Sequence, residues 1–123
     1  MFQEMFPILS TPDLPRALAF YRDLLGATVS YRFPPTGEPA YVGLDLGRSQ
    51  LGIGAESDPP GTADASHHRF SLWIYCDDCD AAVSKLRAAG VPVVEEPADQ
   101  PWGERMATVT DPDGTKVIIA TRQ

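Results

Sequence analysis

The stretch DLPRALAFYRDLLG, residues 13–26, finds its echo in DCDAAVSKLRAAG, residues 78–90. In the first, Leu14, Leu18, Tyr21, Leu24 and Leu25 fall at three- and four-residue steps, the spacing of one face of a helix. In the second, Ala82, Val83 and Leu86 do the same. Pro15 sits where a first helical turn tolerates a missing N–H, and Gly26 and Gly90 stand where a helix can end in the left-handed conformation.

The same order of elements surrounds each helix. A short strand precedes it (6–10; 70–76), and three more follow: 28–33, 40–46 and 50–55 in the first half, 91–95, 105–110 and 116–121 in the second. The loop 34–38 and the turn DPDG, residues 111–114, close hairpins, the latter with proline and glycine where a turn needs fixed and positive φ. The expected fold is therefore α+β, built from two βαβββ modules. Residues 1–55 form the first module, 67–123 the second, and the punctuated stretch 56–66 the linker of one domain.

Composition narrows the class. The chain has 123 residues, 43% of them hydrophobic and 22% charged, close to a soluble average. Ten basic against seventeen acidic residues give a net charge of −7. That sign is wrong for neutralising phosphates, so neither nucleic acid nor an anionic membrane is an expected partner. The N-terminus has no basic leader region and no apolar run reaches the length of a spanning helix, which gives a cytoplasmic expectation.

With the phrases AFYRDLLG, DDCDAAVSKLRAAG and WGERMATVTDPDGTKV, the doubled module resembles the vicinal oxygen chelate superfamily: glyoxalase I, extradiol dioxygenases and bleomycin-resistance-type proteins. The resemblance covers nearly the whole chain. It implies that each module curls into half of a cup and that small members pair as homodimers. It also implies, for enzymatic members, a divalent metal held by His or Gln on the first strand of each module and by carboxylates on the last. Counted from the aspartate that opens each helix and from the DPDG turn, those positions fall on Phe6, Ser71, Ile118 and, in the first module, near Gly52. A shift of one residue does not repair the set, because Pro7, Leu72, Val117, Ile119, Leu51 and Ile53 are equally unsuited. The expectation is that no metal or other cofactor is held.

In FSLWIY, residues 70–75, alternation puts Phe70, Leu72 and Ile74 on one face and Ser71, Trp73 and Tyr75 on the other. An aliphatic face suits packing under a helix, and an aromatic and hydroxyl face suits a pocket that stacks planar groups. Trp102 lies in a loop beside Gly103, and Phe33 and Tyr41 flank the loop 34–38, where they can close a pocket mouth. The expected ligand-binding set is thus Phe6, Phe33, Tyr41, Ser71, Trp73, Tyr75, Trp102 and Ile118, with no catalytic residue.

Other polar residues carry less. His67 and His68 are adjacent, point to opposite faces and precede the family's ligand position, so they read as a strand entrance. Cys76 and Cys79 have redox spacing at a strand-to-helix junction, but one pair cannot complete a structural zinc site. Glu95, Glu96, Asp99 and Glu104 bracket Trp102 and would favour a cation if they rimmed a pocket.

Two functions follow from these residues. The first is non-catalytic binding and sequestration of a planar, cationic or amphipathic, antibiotic-like small molecule, in the manner of bleomycin-resistance proteins. The alternative is a metal-dependent lyase or oxidoreductase of the glyoxalase and dioxygenase type, with substitute ligands from His67, His68, Glu104 or a partner subunit.

Overall fold

The computed structural model describes residues 1, 3–56 and 70–123. Most of the expected linker, and His67 and His68, lie outside the described residues. The chain divides into two units, the first carrying four strands and one helix, the second the same.

In the first unit, β1 (Ile8–Thr11) leads into α1 (Leu14–Leu18), followed by β2 (Thr28–Phe33), β3 (Tyr41–Leu46) and β4 (Ser49–Ala55). The sheet order is β1-β4-β3-β2. β1 runs parallel to β4, with Ile8 opposite Gly52, and the other pairs are antiparallel. A parallel neighbour requires a crossover, which the helix and the β2–β3 hairpin supply.

Asp13 caps α1, its carboxylate accepting from the Arg16 N–H at 3.1 Å, and Pro15 occupies the first turn. The helix does not stay α-helical as its periodicity predicts. From Ala19 to Leu24 it widens into a π-helix, with the Leu25 N–H donating to the Phe20 carbonyl at 3.0 Å. The wider turn swings the adjacent Phe20 and Tyr21 to the same side, where both are buried and meet edge to face at 4.8 Å. Leu24 and Leu25, expected in the apolar stripe, are left half-buried. Gly26, at φ 85°, ends the segment. The helical residues Leu14, Ala17 and Leu18 and the strand residues Val42, Leu44 and Ile53 make up this unit's core.

The second unit repeats the plan with β5 (Ser71–Tyr75), α2 (Cys79–Ala88), β6 (Val93–Asp99), β7 (Glu104–Thr110) and β8 (Lys116–Arg122). Its sheet order is β5-β8-β7-β6, and β5 again runs parallel to β8. Asp78 caps α2 through the Ala81 N–H at 3.0 Å. Cys79, Val83 and Leu86 pack with Ala107, Val109, Val117 and Ile119. The turn after β7 is tied by Asp111, whose carboxylate accepts from the N–H groups of Asp113 and Thr115 at 2.9 and 2.8 Å. Among the described residues no helix is long and apolar enough to cross a membrane.

Arg105 fastens the start of α2 to β7 and β6. Its guanidinium donates two hydrogen bonds to Asp80, at 2.6 and 3.0 Å, and one to Asp99 at 3.1 Å. Hydrogen bonding from Arg105 holds the Asp80 carboxyl below its usual range. A depressed folded-state pKa gives stability that is present above the unfolded value, about 3.9, and vanishes as pH falls through the folded one. Arg105→Gln should therefore melt below the wild type at pH 7, with the gap closing in melting curves recorded as pH falls past the ordinary carboxylate range and narrowing in molar salt.

Candidate functional site

In the first unit the face turned away from the helix is aromatic over a floor of glycine. Val42, Leu44 and Ile53 point to the helix side, so alternation sends Tyr41 and Gly43 of β3 and Gly52 and Gly54 of β4 to the other. The register sets Tyr31 beside Gly43, Gly43 beside Gly52, and Gly52 beside Ile8, which carries one row across the whole sheet. A bulge at Ser30 shifts β2 by one residue ahead of Tyr31. Side chains at 43 and 52 would fill the face, and their absence leaves room for rings.

Tyr41 uses that room. A Cβ at position 52 would lie 2.9 Å from Tyr41 Cζ and nearer still to its hydroxyl, and 3.1 Å from Ile8 Cγ1. The Tyr41 ring therefore lies over Gly52, and only glycine permits it. Tyr31 meets Tyr41 edge to face at 6.1 Å. Phe6, Tyr31 and Tyr41, with Ser30, Gln50 and the backbone about Gly43, line a cleft of about 300 Å³ that contains no charged side chain. That volume lies at the small end of ligand pockets.

The second unit presents a different aromatic face. Trp73 and Tyr75 stand on the open side of β5, each 42% exposed, with ring centroids 6.0 Å apart. Ile118 sits beside Trp73 in register, and Ser71 beside Lys116. The Arg122 guanidinium already lies 3.7 Å over the Tyr75 ring. A ligand cation would have to displace it to stack there. Trp102 is exposed, and its Nε1–H donates to Glu104 at 2.9 Å.

The expected binding residues thus fall into two groups. Phe6 and Tyr41 share the cleft, and Phe33 pairs with Tyr41 across β2 and β3. Ser71, Trp73, Tyr75 and Ile118 share the face of the second sheet, and Trp102 lies in the loop before β7. Ser30, Tyr31, Gly43 and Gln50 line the cleft, and pattern reading did not select them as ligand contacts. For Gly43 the signal was present in YVGLDL, where a glycine interrupts a strand, beside QLGIGA, where Gly52 and Gly54 alternate, the mark of a close approach.

The acids around Trp102 do not form an open rim. Glu96 pairs with Arg87, Asp99 with Arg105, Glu104 with Trp102, and Glu95 accepts from Thr108 at 3.3 Å. The cysteine pair is equally committed: Cys79 is buried against the Ile119 carbonyl at 3.4 Å, and burial pushes its thiol pKa up, away from the reactive thiolate.

A divalent metal of the kind that the resemblance implies does not fit the residues described. The counted first-strand positions hold the Ser71 hydroxyl of β5 and the Phe6 ring, which lies ahead of β1 and not on it as the sequence predicts, and the last-strand positions hold Gly52 and Ile118. At position 52 a ligating side chain would collide with Tyr41. Among the described residues no three His, Cys, Asp or Glu side chains converge.

Comparison with known proteins gives the chain relatives. The family model described as the Glyoxalase/Bleomycin resistance protein/Dioxygenase superfamily matches residues 6–119. A provisionally named glyoxylase, CFP32, from Mycobacterium bovis is 39% identical over 103 residues, and so is its Mycobacterium tuberculosis counterpart. The match takes in 84% of this chain but spans only 37% of the length of those relatives. Among solved structures, TioX from Micromonospora sp. ML1 superposes with a TM-score of 0.77 at 24% identity, covering 98% of this chain and 97% of its own. The bleomycin resistance determinant of transposon Tn5 gives 0.70 at 23%, covering 99% of each chain, and lactoylglutathione lyase from Agrobacterium tumefaciens 0.71 at 25%, covering 97% and 92%. These likenesses are of fold.

The contact between Tyr41 and Gly52 is open to direct test. Gly52→Ala should drive the Tyr41 ring out of the cleft, at a cost of about 1–3 kcal/mol read by urea denaturation. A variant as stable as the wild type, with its tyrosine resonances unmoved, would show that the ring does not rest there.

Proposed function

Since this chain belongs to the Glyoxalase/Bleomycin resistance protein/Dioxygenase superfamily, we propose that it uses the family's fold to bind and sequester a planar small molecule without chemical conversion. The observation that carries this reading is Tyr41 lying over Gly52, which places a ring where the family's enzymes would need a carboxylate. A planar ligand entering the cleft gains stacking against Tyr31 and Tyr41 and edge contact with Phe6. Ser30 and Gln50 supply hydrogen-bonding groups that fix its orientation. Binding of this kind is stoichiometric, as in antibiotic resistance by burial of the drug.

The proposal takes the protein to act as a cytoplasmic homodimer. Its charge of −7 supports a cationic or amphipathic ligand over an anionic one, and opposes a nucleic-acid partner. Phe33, Ser71, Trp73, Tyr75, Trp102 and Ile118 belong to the proposed binding surfaces as further contacts. One observation favours the alternative, a metal-dependent lyase or oxidoreductase: the relatives that are 39% identical carry a glyoxylase name.

Two measurements separate these readings. After incubation with nickel, zinc, iron(II) or manganese and desalting, the protein should retain well under one ion per chain, whereas one tightly held ion would restore the enzyme reading. Calorimetric titration with planar aromatic compounds should detect binding that Tyr41→Ala weakens at least about tenfold. Failure of every such compound to bind would remove the sequestration reading.

A further inference from the structure

Asp45 stands apart from the acids that bracket Trp102. Its Oδ1 is closed off from solvent and has no hydrogen-bond partner among the described residues. A carboxylate oxygen withdrawn from water with nothing donating to it is a costly arrangement, and an arriving donor relieves that cost.

Its position relates that oxygen to the cleft. Val42 and Leu44 are buried on the helix side of β3, so Asp45 shares the opposite face with Tyr41 and Gly43. It lies two residues beyond Gly43, which lines the cleft, and directly opposite Gln50, which also lines it. Thr28 is its neighbour on the other side. The cleft lining carries no charge of either sign and does not include Asp45, which stands just beyond it, next in register to Gln50 and with hydrogen-bonding capacity to spare among the described residues.

We infer that Asp45 makes the cleft selective for planar cations that carry an N–H donor, the ring lying against Tyr31 and Tyr41 and the donor reaching the Asp45 carboxylate. A charged N–H supplies both the missing hydrogen bond and the opposite charge, and such bonds are about twice as strong as neutral ones. Gln50, exposed and beside Asp45 in register, turns aside to admit it. The inference rests on the binding reading above and adds to it the residue that decides ligand charge.

Three probes of nearly one shape test it by calorimetry at pH 7: 9-aminoacridine, a planar cation with N–H donors; 10-methylacridinium, a planar cation without them; and acridine, the neutral ring. The wild type should bind 9-aminoacridine about tenfold more tightly than either of the others. Asp45→Asn, checked for folding by its circular dichroism melting curve, should lose about tenfold for 9-aminoacridine and change less than about twofold for acridine. Equal wild-type affinity for 9-aminoacridine and acridine would overturn the inference even if the variant failed to fold. So would an Asp45→Asn variant that weakens all three alike or none. If the probes bind equally and Tyr41→Ala weakens them together, the cleft stands and the Asp45 anchor falls. If none binds the wild type, the binding reading falls with it.

Discussion

Each unit hangs from the parallel pairing of its first strand with its last. That pairing puts β4 between β1 and β3, and β8 between β5 and β7. It also sets Ile8 beside Gly52 and Trp73 beside Ile118. A parallel pair cannot be closed by a tight turn, so the helix has to cross over, and its apolar stripe then covers one face of the sheet. The other face is left free for function, and the residues at its centre determine what chemistry it can support.

At that centre the described residues are rings, glycine and isoleucine in place of ligating side chains. Where family enzymes need oxygen and nitrogen donors, the first unit has a bare backbone under a phenol ring, and the second an isoleucine beside an indole. The two faces differ in how far they are already satisfied. Arg122 covers Tyr75 in the second unit, while in the first the rings of Tyr31 and Tyr41 line an open cleft. A cation meets competition from the chain's own Arg122 guanidinium on the second unit's face.

The π-helical turn shows how local patterning yields to packing. A stripe at three- and four-residue steps selects Leu24 and Leu25, yet across the π-helical turn the fully buried pair is Phe20 and Tyr21. The acids around Trp102 show the same limit from the electrostatic side. Read along the chain they look like a negative rim, but Glu95 and Asp99 meet their partners through strand register and Glu96 through helix docking, which no linear pattern displays.

The sequence by itself determined the duplicated βαβββ order, the caps and stops of both helices, the face division of residues 71–75, and the lack of ligating side chains at 6, 52, 71 and 118. These are local properties: periodicity, capping chemistry and residue identity at counted positions. Only the tertiary structure decided that Tyr41 lies over Gly52, that Tyr31 joins it across a bulge, and that an Asp45 oxygen finds no partner among the described residues. Each of those depends on which residues of separate strands come side by side, and one residue of register would have turned every one of them to the opposite face.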